Sequence, residues 1–257
     1  MDMLTKQIFF PVHQASSPVN LKSYAELFAH YHRKTFSFFF WQDYWCEKDD
    51  FFSDSDRTLL EQTIQIEATD LQLKIDFCDR DSSSLSALIQ HSCFADVLVI
   101  PPTKKKASSL FLSPFMKRFL QDVACPIFMP SRVSPLFNEV LILFDYDWSA
   151  LAAFKSFIQL FHEVLAGRAV TVILLIAVEE NEFFLENHFI HYVKMSVGEV
   201  GIIPVNSNRV NEQLIRTTEL MKKPVLILGK NAIESICATS VADELRANEV
   251  SFFYSNR

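Results

Sequence analysis

Lys104, Lys105 and Lys106 form a basic run inside the segment PPTKKKASSLFLSP, and a loop of that composition can hold an anion by side-chain charge. The plainer reading of the run is a solvated loop, and it is the one preferred. Glu179, Glu180 and Glu182 follow a strand-like apolar stretch, at the carboxyl edge where open α/β sheets bind ligands, although charged loop residues are ordinary there. His30 and His32 are two apart on a helical segment and do not share a face. His188 and His191 are spaced i, i+3, but no acid or cysteine is clearly placed to complete a ligand set, so exposed helix histidines are expected. Cys46, Cys78, Cys93, Cys125 and Cys237 are scattered with no CxxC pair, the pattern of reduced thiols rather than of a metal or redox site. GxSxG, a Walker loop, HExxH and a Cys/His nucleophile pair are all missing from the sequence. These readings point to no catalytic residues, no metal and no enzymatic activity.

The elements that position these residues follow from composition and periodicity. At 257 residues and 49% hydrophobic content the chain can bury one large core or two of ordinary size. A net charge of −7 argues against a nucleic-acid surface. The N-terminal stretch MDMLTKQIFFPVHQ lacks a basic segment followed by a long apolar one. The longest apolar run, 169–178, is interrupted by Thr171 and is too short to cross a bilayer. The expectation is therefore a cytoplasmic protein that does not span a membrane.

The run ADVLVIPP is rich in β-branched residues and stopped by two prolines, as for a strand buried on both faces, and CPIFMP is a second such strand. Between them Ser113 and Pro114 stand as N-cap and first-turn proline of a helix carrying Met116, Phe119, Leu120 and Val123. This is a βαβ unit. Upstream, KQIFFPVH predicts a strand. Ser17 and Pro18 predict the start of a helix with Leu21, Tyr24, Phe28 and Tyr31 on one face, and TFSFFFW a second strand. The excursion QDYWCEKDDFF is aromatic and acidic; exposed, it would be a partner surface, but insertion into the core is slightly preferred. Asp54 or Ser55 then caps a helix with Leu59, Leu60 and Ile64, LQLKIDF is a strand, and a short helix carries Leu85, Leu88 and Ile89. With right-handed crossovers this order gives a five-stranded parallel sheet covered on both faces.

SRVSPLF reads as a short polar linker, after which the same order begins again. VLILF is a strand ending at Asp145, followed by a helix with Leu151, Phe154, Ile158, Phe161 and Leu165 and a C-terminal Gly167. Residues 169–178 form the next strand, Asn181 caps a helix with Leu185, Phe189 and Tyr192, and 200–205 form a third strand. A helix over about 210–221 leads to KPVLILG, which matches ADVLVIP of the first half. Ser235 opens a last helix through Cys237, Val241 and Leu245, and SFFY stands where CPIFMP stood. An internal repeat of half the chain is the strongest organisational signal, and it divides the chain into α/β domains at 1–133 and 134–257.

The strand–loop–helix–strand segment 94–131 resembles the closing part of universal stress protein (UspA-like) domains, and VLILFDYDWSALAAF is similar to that family's opening strand, acidic residue, turn and helix. Together the halves resemble a tandem universal stress protein over nearly the whole chain. The resemblance implies two tandem five-stranded parallel-sheet α/β domains of the adenine nucleotide alpha hydrolase-like type. It also implies a stress-related binding or regulatory role with an unidentified protein partner. The halves would pair as an internal pseudo-dimer through their last strands, or two chains would form a homodimer.

Nucleotide-binding members of the family carry G-x2-G-x9-G-[ST] after the fourth strand and an Asp at the end of the first. Glycines there let backbone N–H groups curl around phosphates at a helix N-terminus. In the first half Pro101 stands at the first glycine, the middle one falls near Lys104, Ser113 and Pro114 replace the last pair, and His13 or Gln14 replaces the Asp. The second half keeps Asp145 and Gly229, but GKNAIES is too short for the family spacing. The chain has only 4 glycines, about a quarter of what a usage of roughly 7% would supply. The expectation is no cofactor, with Asp145 and Gly229 as vestiges of the site. The alternative is an adenine-nucleotide-binding protein that holds ATP weakly through Asp145 and Lys104–Lys106.

Overall fold

Apolar runs of strand length, covered by amphipathic helices, build parallel β-structure in the computed structural model, which describes residues 5–12, 20–40, 53–78, 84–102, 114–177, 179–237 and 239–255. The basic run Lys104–Lys106, the aromatic and acidic excursion, His13, Gln14 and Ser113 lie outside the described residues. The chain divides into two compact units, Met1–Leu136 and Phe137–Arg257.

In the first unit β1 (Lys6–Val12), β2 (Lys34–Phe40), β3 (Ile75–Phe77), β4 (Val97–Val99) and β5 (Ile127–Met129) take the order β3-β2-β1-β4-β5 with every neighbour parallel. The helices are α1 (Leu21–Leu27), α2 (Asp54–Asp70), α3 (Leu85–Ser92) and α4 (Pro114–Asp122). Phenylalanine dominates the core: Phe10 stacks on Phe38 at 5.2 Å and meets Tyr24 of α1 edge-on at 5.0 Å. On α4, Met116, Phe119 and Leu120 are buried, as is Val123 just beyond it, as the helical spacing predicts. Ser92, buried at the end of α3, accepts a hydrogen bond from the Ala124 N–H at 2.9 Å and donates to the Ile89 carbonyl at 2.6 Å.

Three sequence expectations for this unit need correction. Helix α1 begins at Leu21 and is capped by Asn20, whose side chain accepts from the Ser23 N–H at 3.1 Å, while Ser17 and Pro18 lie outside the described residues. Helix α2 is capped by Ser53 in a capping box with Asp56, and its buried face is Arg57, Ile64 and Ala68, while Leu59 is 65% exposed. Arg57 is buried because its guanidinium finds three partners. It pairs with Glu61 at 2.7 Å, donates to the Cys78 carbonyl at 3.3 Å and lies 4.7 Å over the Phe40 ring. The third strand is only three residues long, because α2 runs on to Asp70 and Gln72 takes a φ of +55°, returning the Leu73 N–H to the Ala68 carbonyl at 2.8 Å.

The second unit holds β6 (Glu139–Phe144), β7 (Val170–Leu175), β8 (Val200–Val205), β9 (Pro224–Leu228) and β10 (Ser251–Tyr254) in the order β10-β9-β6-β7-β8, again all parallel. Read in chain order, both units place their strands 3-2-1-4-5. The order reverses beside β1 and beside β6, the switch points where such sheets open a crevice. The helices are α5 (Trp148–Leu165), α6 (Glu180–Val197), α7 (Val210–Leu220), α8 (Lys230–Cys237) and α9 (Val241–Ala247). On α5 the buried face includes Ala150, Ala153, Phe154, Phe157 and Phe161, and the helix ends before Gly167 with its φ of +76°. Ala150 and Ala153 keep that face thin, so the helix lies close on the sheet.

Two further expectations are corrected here. Helix α6 begins at Glu180, with the Glu182 carboxylate accepting the Glu179 N–H at 3.1 Å, so these acids start the helix and Asn181 lies inside it. The last helical region is two helices, the first beginning at Lys230 with Ser235 inside it, and Thr239 and Ser240 between them are non-helical. The predicted linker is ordered: Ser131 is buried and donates to the Ser134 carbonyl at 2.9 Å, and Phe137 packs on Phe157 and Phe161. Among the described residues no helix is long and apolar enough to cross a membrane.

Candidate functional site

The crevice at the end of β6 in the second unit holds two of the candidate residues, Asp145 and Gly229. Strand β6 ends at Phe144, and Asp145, Tyr146 and Asp147 form the turn into α5. Asp147 is the N-cap: one carboxylate oxygen accepts the Ser149 N–H at 3.1 Å and the other the Ser149 hydroxyl at 2.5 Å. Asp145 is half-buried and accepts the Asp147 N–H at 3.3 Å. Burial pushes its carboxyl above the ordinary Asp value, with the neighbouring Asp147 charge acting in the same direction.

Tyr146 adopts a φ of +62°, uncommon for a residue with a side chain. Its hydroxyl reaches the carbonyl of Leu175, the last residue of β7, and lies 3.3 Å from the Glu186 carboxylate on α6. Burial, together with the nearby Glu186 charge, raises its phenol well above the usual value, so it remains a neutral donor. The positive φ swings the turn toward β7, and the hydroxyl ties the two strand ends to α6.

Gly229 follows β9 on the other side of the crevice. A Cβ built on it would lie 2.6 Å from the Ala150 nitrogen and the Ser149 Oγ, and 3.0 Å from the Ala150 Cα. The next residue, Lys230, begins α8, and its N–H donates to the Ser149 Oγ at 2.6 Å. The N-terminus of α5 thus sits directly on the Gly229 turn, and Ser149 takes a backbone N–H that a phosphate oxygen would otherwise accept. The side of Gly229 from which a Cβ would project is filled by the first turn of α5.

Of the residues singled out in the sequence, the fold brings Asp145 and Gly229 to the same crevice through the β6/β9 pairing. His188 and His191 are exposed on α6, and among the described residues no group of three His, Cys, Asp or Glu side chains could hold a metal. In the first unit Pro101 and Pro102 are buried after β4, directly before the undescribed basic run. Sequence reasoning missed Tyr146, Asp147 and Ser149. The DYDWS string does carry the signal, since Asp and Ser two residues apart before an apolar helix is an N-cap pattern.

This arrangement of sheet order, helices and crevice is a universal stress protein-type α/β fold. The chain superposes on the universal stress protein from Archaeoglobus fulgidus DSM 4304 with a TM-score of 0.61 at 12% sequence identity, over 98% of this chain and 96% of that one. A histidinol dehydrogenase from Elizabethkingia anophelis matches at a TM-score of 0.26 and 14% identity, covering 98% of this chain and 63% of that one, which carries no structural argument. No family model matches the sequence, and no curated protein matches it.

Proposed function

We propose that this chain is a tandem universal stress-type binding or regulatory module of the cytoplasm that does not hold ATP through the family's loop and catalyses no reaction. The observation that carries the reading is the closed Gly229 turn, where α5 backbone fills the space over the glycine and Ser149 accepts the Lys230 N–H. The loss of glycines from 101–114 extends the reading to the first half. Calorimetry with Mg-ATP tests it: no saturable heat below about 1 mM is expected, whereas a micromolar dissociation constant, about 8 kcal/mol of binding free energy, would overturn it.

The second reading, an adenine-nucleotide-binding stress protein, is favoured by Asp145 at the strand end and by the basic run Lys104–Lys106. Under it, nucleotide would co-purify and be identified by mass spectrometry after denaturation. Asp145→Ala and a triple alanine variant of the lysines would then assign it to one half. Pairing of the halves as an internal pseudo-dimer belongs to the same proposal and rests on the family resemblance. Residues 1–133 expressed alone are expected to self-associate in light scattering, and a stable soluble monomer would refute the pairing.

A further inference from the structure

Between α5 and α6 of the second unit lies a cleft of about 400 Å³, within the range of small-molecule sites, with Tyr146 and Asp147 of the β6–α5 turn in its lining. Its walls follow from helical spacing. Trp148, Leu151 and Lys155 fall on one face of α5, and Phe184, His188 and Tyr192 on the facing side of α6. The floor is the Phe144–Phe189 pair, stacked at 3.9 Å with an interplanar angle of 2°, and both rings are buried. Packing fixes that floor, so the cleft is formed before anything enters it.

Large apolar side chains ring the opening. Trp148 is 66% exposed, Phe184 63% and, toward the lower end, Met195 75%. Scattered exposed apolar residues are ordinary, but three around one concavity mark a place built to be covered.

The polar groups select the occupant. Lys155 has no ion-pair partner among the described residues, and its ammonium lies 5.4 Å over the Tyr192 ring at the wall of the cleft. His188 and His191 also belong to the lining, with His188 packed on Phe184 at 4.2 Å. Three carboxylates lie near: Asp147 lines the cleft but is engaged in capping α5, eight positions before Lys155 and so about 12 Å from it along the helix, Glu186 faces the Tyr146 hydroxyl, and Glu182 accepts the Glu179 N–H. The lining is therefore mostly apolar and aromatic, and the exposed Lys155 is a cation in it with no ion-pair partner among the described residues.

We propose that this cleft binds a small organic carboxylate, its apolar body lying on the Phe144–Phe189 floor against Trp148 and Leu151 and its carboxylate paired with Lys155. The cleft shares Tyr146 and Asp147 with the β6–α5 turn but contains none of Gly229, Ser149 or Lys230, so competition by Mg-ATP separates this proposal from the nucleotide reading.

The test uses the full chain with Trp41 and Trp45 replaced by phenylalanine, which leaves Trp148 as the sole tryptophan of three. Decanoate, 1-decanol and decyltrimethylammonium are titrated while Trp148 emission is followed. Decanoate is expected to saturate a single site at micromolar concentration, to bind more tightly than decanol, and to leave decyltrimethylammonium the weakest of the three. Lys155→Gln is expected to weaken decanoate roughly fivefold and to leave decanol unchanged. Leu151→Trp, which fills the cleft, is expected to abolish both, and an excess of Mg-ATP to alter neither. The proposal is overturned if decanol binds as tightly as decanoate, if Lys155→Gln has no effect, or if Mg-ATP competes. It is equally overturned if no probe binds and light scattering shows a dimer that Trp148→Asp dissociates, since the cleft would then serve a second copy of the chain. The comparison of the three probes decides the matter even if Leu151→Trp fails to fold.

Discussion

Gly229→Ala is the most informative single substitution at the crevice, because the two roles open to this glycine predict different outcomes. Gly229 lies outside the left-handed region, so alanine is free of backbone strain there, and its reduced freedom in the unfolded chain would by itself stabilise by about 0.4–1 kcal/mol. Against this, the new methyl would lie 2.6 Å from the Ala150 nitrogen and 3.0 Å from its Cα. These are helix backbone atoms that move only with the whole first turn of α5. Overpacking of that kind costs about 1–3 kcal/mol, so a net loss of roughly 1–2 kcal/mol is expected. The Ser149 Oγ is the third close atom, and Ser149→Ala removes it together with its bond from Lys230. The loss from Gly229→Ala should therefore shrink by about 0.5–1 kcal/mol in the Ser149→Ala background. Urea unfolding followed by Trp148 emission reads the transition locally, one residue from the contact. A Gly229→Ala midpoint at or above that of the unsubstituted chain would refute the packing argument and return Gly229 to a loop free to approach a ligand.

Asp145→Asn keeps an acceptor for the Asp147 N–H and removes a charge that burial disfavours. The raised carboxyl means the folded chain holds its proton longer than the unfolded one. Asp145 therefore removes stability as pH rises through the unfolded value of about 3.9 toward the folded one, and the difference between variant and unsubstituted chain should grow in favour of the variant over that window, as urea midpoints will check. Burial raises the Cys125 thiol to about 12, so roughly one molecule in ten thousand is thiolate at pH 8, and the exposed Cys93 should be alkylated far sooner in a peptide-mapped iodoacetamide time course. Arg57→Ala removes the Glu61, Cys78 and Phe40 contacts together and is expected to destabilise the first unit by about 1–3 kcal/mol in thermal unfolding, less than for a fully buried pair because the Glu61 side chain is 19% exposed.

Sequence by itself determined the element order, because buried parallel strands require unbroken apolar runs that nothing else in a chain of this composition explains. ADVLVIPP and KPVLILG hold β4 and β9, and 200–205 is β8 at both ends. The scarcity of glycine in the segment 101–114 was likewise legible, since composition is read from the residues themselves. Helix boundaries were less so. Asn20, Ser53 and Glu179 each stand near another residue with capping chemistry, and local pattern does not choose between adjacent caps. Face assignment failed on α2, where Arg57 is buried and Leu59 exposed, because a cation enters an interior only when a carboxylate, a carbonyl and a ring from other elements converge on it. The same limit governs both sites. Gly229 and Ser149 are 80 positions apart, and Lys155 meets Tyr192 across two helices, so the closing of one crevice and the opening of the other cleft are set by strand register and helix packing, which local residue pattern does not encode.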